Sequence, residues 1–238
     1  MNTSPILWYL ADPMCSWCWA FSPVIEAVRD TCSDRMRIAL VLGGLRPGAT
    51  QAQTPQARVE VLHHWHQVHE RTGQNFKFEG AMPDGFVYDS EPPCRAVACM
   101  GDMDPALVFP MLESAQSAFY LDGHDITQTA KLAELAVELG VGRNEFLAAF
   151  QSASARHRTQ EHFRITREWG ITGFPTLVLQ QDKKFQLITR GWQPLNQVIS
   201  AIDTSFIGKR MCIAGRKVGQ VHSRQEQTRC ASNCAIQN

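Results

Sequence analysis

No run in this sequence approaches the roughly 20 consecutive apolar residues that a helix needs to cross a bilayer. There is no excess of charge of either sign, since 23 basic residues stand against 23 acidic ones. Nothing global therefore points to nucleic acid or to an anionic membrane surface. The first residues, Met1-Asn2-Thr3-Ser4-Pro5, lack the basic and long apolar regions of a secretory signal. No internal repeat or low-complexity tract is visible. These absences lead us to expect a cytoplasmic protein with no nucleic-acid or membrane partner. Cysteine is plentiful, with eight in the chain, and in a reducing compartment that argues for free thiols or redox use and against a disulfide scaffold. At 238 residues and 44% hydrophobic content, the chain can bury one sizeable core with an insertion attached.

The most informative stretch is Asp12-Pro13-Met14-Cys15-Ser16-Trp17-Cys18-Trp19-Ala20. It follows an apolar strand-like segment, Ile6 to Leu10, and opens a helix-like one. A Cys-x-x-Cys pair at such a junction places the first sulfur over the helix N-terminus, where unpaired N–H groups and the macrodipole favour a thiolate. The second lies one turn on, close enough to attack a mixed disulfide formed on the first. Half of a zinc site and a buried structural disulfide are the other readings. The context favours exchange: zinc knuckles sit on turns between short strands, and Trp17 and Trp19 put aromatic surface at the helix mouth, suited to docking polypeptide.

Gly170-Ile171-Thr172-Gly173-Phe174-Pro175-Thr176 precedes the apolar run Leu177-Val178-Leu179. A proline at a strand start is tolerated because it cannot donate to the ladder, and X-Pro is the one place where a cis peptide is cheap. Beside a dithiol, a cis-proline leaves the preceding residue's backbone free to pair with an extended substrate. Alone, this segment reads as an ordinary turn; with the dithiol it gains that second meaning.

Asp12-Pro13-x-Cys15-x-x-Cys18-Trp19, Gly43-Gly44-Leu45-Arg46-Pro47, Glu91-Pro92-Pro93-Cys94-Arg95 and Gly173-Phe174-Pro175-Thr176, in that order, resemble the DsbA-type thiol oxidoreductases. The similarity runs from about Ile6 to about Ile202 and is strongest to the cytosolic, FrnE-like branch of predicted protein-disulfide isomerases. The resemblance implies an α/β thioredoxin fold with a helical insertion after the second strand. It also implies Cys15 as nucleophile, Cys18 as resolving thiol and Pro175 as a cis-proline, and it places Trp17, Trp19, Phe174 and Thr176 at the substrate. No metal and no cofactor beyond the redox-active disulfide is expected. The expected partners are protein or peptide thiols and disulfides, with glutathione as a candidate co-substrate.

Strands are expected over 6–10, 37–42, 177–180 and 185–190. The dithiol helix is expected from Cys15 to Thr31 with a kink at Pro23. Helices are expected over 57–72, over 94–100 after a stop at Pro92-Pro93, and from Asp104-Pro105 to Phe119. Others follow over 127–139 and 144–169, and a last one runs from Pro194 to about Asp203. This divides the chain into a split thioredoxin-like domain (1–50 and 168–204), a helical insertion (51–167) and a tail (205–238). Six basic residues against one acidic residue, and few apolar ones, lead us to expect a poorly ordered tail.

Weaker signals remain open. Cys230 and Cys234 in the tail are a candidate auxiliary thiol pair. His63, His64, His66 and His69 share one helix and offer metal-ligand spacing, although a solvated face is the simpler reading. Cys94 either projects toward the groove or is buried with Cys99 as a small apolar group; Cys32 reads as core. Asp12 either assists proton transfer at the dithiol or fixes the loop. Two rival functions use other chemistry. Glutathione-dependent transferases of the kappa type and hydroxychromene-carboxylate isomerases share the expected topology but carry serine where Cys15 stands. A non-catalytic metal-binding module would use Cys15, Cys18 and the histidines.

Overall fold

The computed structural model describes residues 4–212, with backbone alone for 207–212. β1 (Ile6–Ala11) lies at the centre of a four-stranded sheet, parallel to β2 (Arg37–Leu42) and antiparallel to β3 (Thr176–Gln181), which carries the edge strand β4 (Lys184–Arg190). Alternation along β1 sends Leu7, Tyr9 and Ala11 to the main core, and Leu10, with Trp8 beside it, to a smaller cluster with Val41 and Val178. α1 (Ser16–Cys32) and α8 (Leu195–Cys212) pack together on the main-core side, while α7 (Ala153–Glu168) covers the other through Ile165. This order of strands and helices is that of a thioredoxin fold.

Five further helices stand between β2 and α7: α2 (Pro55–Thr72), α3 (Glu91–Met103), α4 (Val108–Tyr120), α5 (Thr129–Glu138) and α6 (Arg143–Phe150). One buried cluster runs from Leu7 and Tyr9 in the sheet to Phe146 and Phe150 in α6, so the inserted helices share the sheet's core. α1 touches both α2 and α4, which brings the insertion against the dithiol helix.

Local chemistry explains where the elements differ from expectation. Pro92 and Pro93 do not stop the chain; they occupy the first turn of α3, where the missing N–H groups have no intrahelical partner to lose. Asp104 does cap, accepting from Ala106 N, but it opens a short 3₁₀ turn (Pro105–Leu107) before α4 begins. α1 runs unbroken through Pro23. The carbonyl of Trp19, which would have received the Pro23 N–H, instead accepts from Ser22 Oγ at 2.8 Å and Gln74 Nε2 at 3.2 Å. The last helix runs to Cys212, beyond its expected end at about Asp203, and the rest of the expected tail lies outside the described residues. Ile202 is buried and Asp203 pairs with Arg35 at 2.7 Å, so this helix has a face to pack and a partner to hold.

Candidate active site

The sheet delivers the dithiol. β1 ends at Ala11, and Asp12 turns the chain by accepting from Met14 N through Oδ1 at 2.9 Å while its own carbonyl accepts from Cys15 N at 3.1 Å. Cys15 is thereby the N-cap of α1, in extended conformation and with no side chain capping the first turn. Its sulfur donates to the carbonyl oxygen of Phe174 at 3.6 Å. Cys15 retains 6% of its surface, whereas Cys18, one turn on, retains 0%. Burial, together with the neighbouring Cys15, pushes the Cys18 thiol far above the usual cysteine range. The two sulfurs thus differ in access. None of the five described cysteines (Cys15, Cys18, Cys32, Cys94 and Cys99) is disulfide-bonded.

The facing wall is the loop before β3. The Phe174–Pro175 peptide is cis, Pro175 O accepts from Gly191 N at 2.8 Å, and Thr176 Oγ1 donates to Gly173 O at 2.8 Å. Gly43 gives the Phe174 ring its seat: a Cβ there would lie within 2.6 Å of three ring carbons. Gly44, at φ +69°, likewise leaves room for the Phe163 ring of α7.

Asp12 is fully buried and ties three segments together. Oδ2 accepts from Leu45 N at 2.7 Å and from Cys94 Sγ at 3.4 Å, and Ser90 adds a further hydrogen bond. Burial raises this carboxyl above its ordinary range although each of those donors pulls it down. Cys94 therefore lies inside α3 against Asp12 and does not project into a groove; burial, then the Asp12 charge, keeps it a thiol. Tyr88 OH donates to Met14 O at 2.5 Å, pinning the dithiol loop from the insertion side.

Trp17 and Trp19 separate. Trp17 is half-buried at the rim, edge-on to His64 at 5.9 Å and with the Arg71 guanidinium 5.8 Å from its ring centroid. Trp19 turns inward, stacks on Tyr120 and donates Nε1 to Asn75 O at 2.8 Å, so it supports the helix and presents no docking surface. Thr176 is also buried. The α2 histidines do not converge: the His66 ring stacks on Phe78 at 3.7 Å and His69 Nδ1 faces Gln74 O at 2.7 Å. Among the described residues no group of three metal-ligating side chains comes together. Cys230 and Cys234 lie outside the described residues.

Sequence reasoning did not single out Tyr9, Tyr88, Tyr120 or His162. His162 Nδ1 accepts from Leu42 N at 3.1 Å where β2 ends, and burial pushes its pKa down to about 4. The Gly43-Gly44 pair was the one local sign that side chains approach the backbone closely there.

Comparison with known proteins agrees with this geometry. A candidate protein disulfide isomerase of known structure from Nitrosomonas europaea is 43% identical, covers 87% of this chain and 99% of its own, and superposes with a TM-score of 0.82. The cytosolic disulfide reductase DsbM from Pseudomonas aeruginosa is 29% identical over 88% of this chain and 100% of its own, with a TM-score of 0.67, and was also solved with GSH. The ClpXP adapter protein SpxH of Halalkalibacterium halodurans is 23% identical over 182 residues, a match that spans 57% of that relative's length. The model of the DSBA-like thioredoxin domain matches residues 8–203, and the chain belongs to that family.

Proposed function

We propose that this protein is a thiol–disulfide oxidoreductase in which Cys15 attacks and Cys18 resolves. The observation that carries the reading is the asymmetry of the pair. Cys15 alone reaches the surface, at the mouth of α1 and 3.6 Å from the Phe174 carbonyl, while Cys18 is sealed behind it. Cys15 attacks a substrate disulfide and expels one sulfur as a thiolate, leaving a mixed disulfide. Cys18 then gives up its proton, bonds to Cys15 sulfur and releases the second substrate sulfur. The oxidised pair is reset by the reverse sequence with a second thiol.

The substrate backbone would lie along Phe174, with Trp17 at the rim; Pro175 shapes that edge. Protein or peptide thiols are the proposed substrates, and glutathione is the proposed small-thiol partner, supported by the GSH-bound structure of DsbM. The cytosolic character of DsbM likewise supports a cytoplasmic location, and no helix among the described residues is long and apolar enough to cross a membrane. The intact Cys15/Cys18 pair sets the chain apart from serine-based glutathione transferases and isomerases. In an insulin-reduction assay with glutathione as reductant, Cys15→Ser should abolish turnover. Wild-type turnover in that variant would overturn the reading.

A further inference from the structure

The end of the sheet that carries the dithiol also carries two arginines whose guanidinium groups meet no carboxylate. The loops after β1 and β2 and the loop before β3 gather there, because β1 runs parallel to β2 and antiparallel to β3. Arg46 follows β2, and Ser90 fixes its backbone at both groups: Arg46 N donates to Ser90 Oγ at 3.0 Å, and Arg46 O accepts from Ser90 N at 3.3 Å. The Arg46 guanidinium lies over the Tyr88 ring, 5.0 Å from its centroid. The hydroxyl of that ring is the one that donates to Met14 O, immediately before Cys15. Arg71, in the last turn of α2, holds its guanidinium 5.8 Å from the ring centroid of Trp17, inside the Cys-x-x-Cys.

Each arginine thus rests on an aromatic ring that belongs to the dithiol turn or is bonded to it. A ring face attracts the cation without consuming its N–H groups, which stay available to an acceptor. Both arginines are exposed, and neither belongs to an ion pair among the described residues. By contrast, Arg35, Arg58, Arg95, Arg143, Arg158 and Arg164 each meet a carboxylate. The acidic groups of these loops are engaged elsewhere. Asp12 is buried on its own donors, and Asp89 Oδ1 accepts from Gly48 N and Glu91 N. With a formal net charge of zero over the whole chain, two unpaired cations beside one thiol are a local feature and not the overflow of a basic protein.

We propose that Arg46 and Arg71 bind the carboxylates of an anionic substrate, so that Cys15 exchanges preferentially with thiols and disulfides carrying a carboxylate on each side of the sulfur, as glutathione does. The proposal rests on the dithiol reading above and names the substrate class of that same site. One arginine stands by Met14, just before Cys15, and the other by Trp17, two residues after it. A substrate sulfur over Cys15 therefore has a cation toward each flank. The planar fork of a guanidinium suits a carboxylate better than the point charge of a lysine does. With the substrate so held, the Cys15 thiolate bonds to one substrate sulfur, and the other leaves with the bonding pair as a thiolate.

The test uses full-length Cys18→Ser protein, which stops exchange at its first phase, attack by Cys15. Two disulfides serve as probes: glutathione disulfide, which is anionic, and bis(2-hydroxyethyl) disulfide, which is neutral. Samples are quenched in acid, and the rate at which the Cys15 peptide gains each adduct is read by mass. The ratio of the two rates cancels any change in the reactivity of Cys15 itself. Exposed ion pairs are worth up to about fivefold each, so Arg46→Gln with Arg71→Gln should lower that ratio by roughly fivefold to twentyfold at low salt. The loss should shrink in 1 M salt, where the screening length is about 3 Å, and Arg46→Lys with Arg71→Lys should keep most of the ratio. Arg37 and Lys184 lie at the opposite end of the sheet, paired with Ile6 and Gln181. Arg37→Gln with Lys184→Gln removes the same charge there and should leave the ratio unchanged. An unchanged ratio in the folded Arg46→Gln/Arg71→Gln protein, or an equal fall in the Arg37→Gln/Lys184→Gln protein, overturns the proposal. Absence of a Cys15 adduct with either disulfide would instead overturn the dithiol reading.

Discussion

Gly43→Ala isolates the contact that seats the substrate edge. The added methyl would sit within 2.6 Å of three carbons of the Phe174 ring, so the ring must retreat by about an ångström to reach ordinary contact. Overpacking costs about 1–3 kcal/mol. Phe174 is half-buried and can swing partly outward, which places the cost toward the lower end, at about 1–2 kcal/mol. For a domain of this size that lowers the melting temperature by about 2–8 °C. The effect on chemistry should be larger, because the Phe174 carbonyl lies 3.6 Å from Cys15 Sγ and the ring anchors that loop. An ångström of misplacement can cost on the order of a hundredfold in rate, so turnover on a protein disulfide should fall while alkylation of Cys15 by a small reagent does not. Phe174→Ala removes the ring that the methyl would strike, so Gly43→Ala added to it should cost almost nothing further. The cycle should then give a coupling of about 1–2 kcal/mol. Strictly additive melting shifts, or wild-type protein-disulfide turnover in Gly43→Ala, would refute the reasoning.

Further expectations concern groups on either side of the dithiol. His162 accepts from Leu42 N with its pKa pushed down to about 4, so it stabilises the fold above the unfolded value of about 6.5 and loses that contribution as pH falls toward 4. The full loss is at most about 3 kcal/mol, and urea titrations should show His162→Gln flattening the acid limb of the stability profile. Asp12 has the opposite sign: its raised pKa contributes stability at acid pH that fades as pH rises through the folded value. Asp12→Asn should therefore look worst at low pH and recover toward neutrality. Cys94→Ala removes a donor to Asp12 and should cost about 1–3 kcal/mol in chemical denaturation while leaving the first phase of thiol exchange intact.

The strand positions, the dithiol helix and the Pro175 turn were legible because their signals are local. Alternating apolar residues, a Cys-x-x-Cys at a strand-to-helix junction and a proline before a strand each declare themselves within a few residues. What stayed hidden is non-local. Nothing within ten residues of Asp12 announces Leu45, Ser90 and Cys94 as its donors, because they arrive from the loop after β2 and from the insertion. Trp19 read as docking surface because spacing alone cannot say which face of α1 the insertion covers; Tyr120 and Asn75 cover it. The helix beyond Ser205 was missed because the run of basic residues and glycine after Phe206 outweighed the i, i+4 spacing of Val198, Ile202 and Phe206, which pack on the sheet-side core.

The most direct test of the division of labour between the two sulfurs is to trap the intermediate. Cys18→Ser protein is incubated with oxidised insulin or oxidised glutathione, and the intact mass and peptide map are read under non-reducing, acid-quenched conditions. The account predicts a single stable adduct, located on Cys15, that is absent from Cys15→Ser protein treated in the same way. An adduct on another cysteine, or none at all while wild-type protein turns over the same substrate, would contradict it.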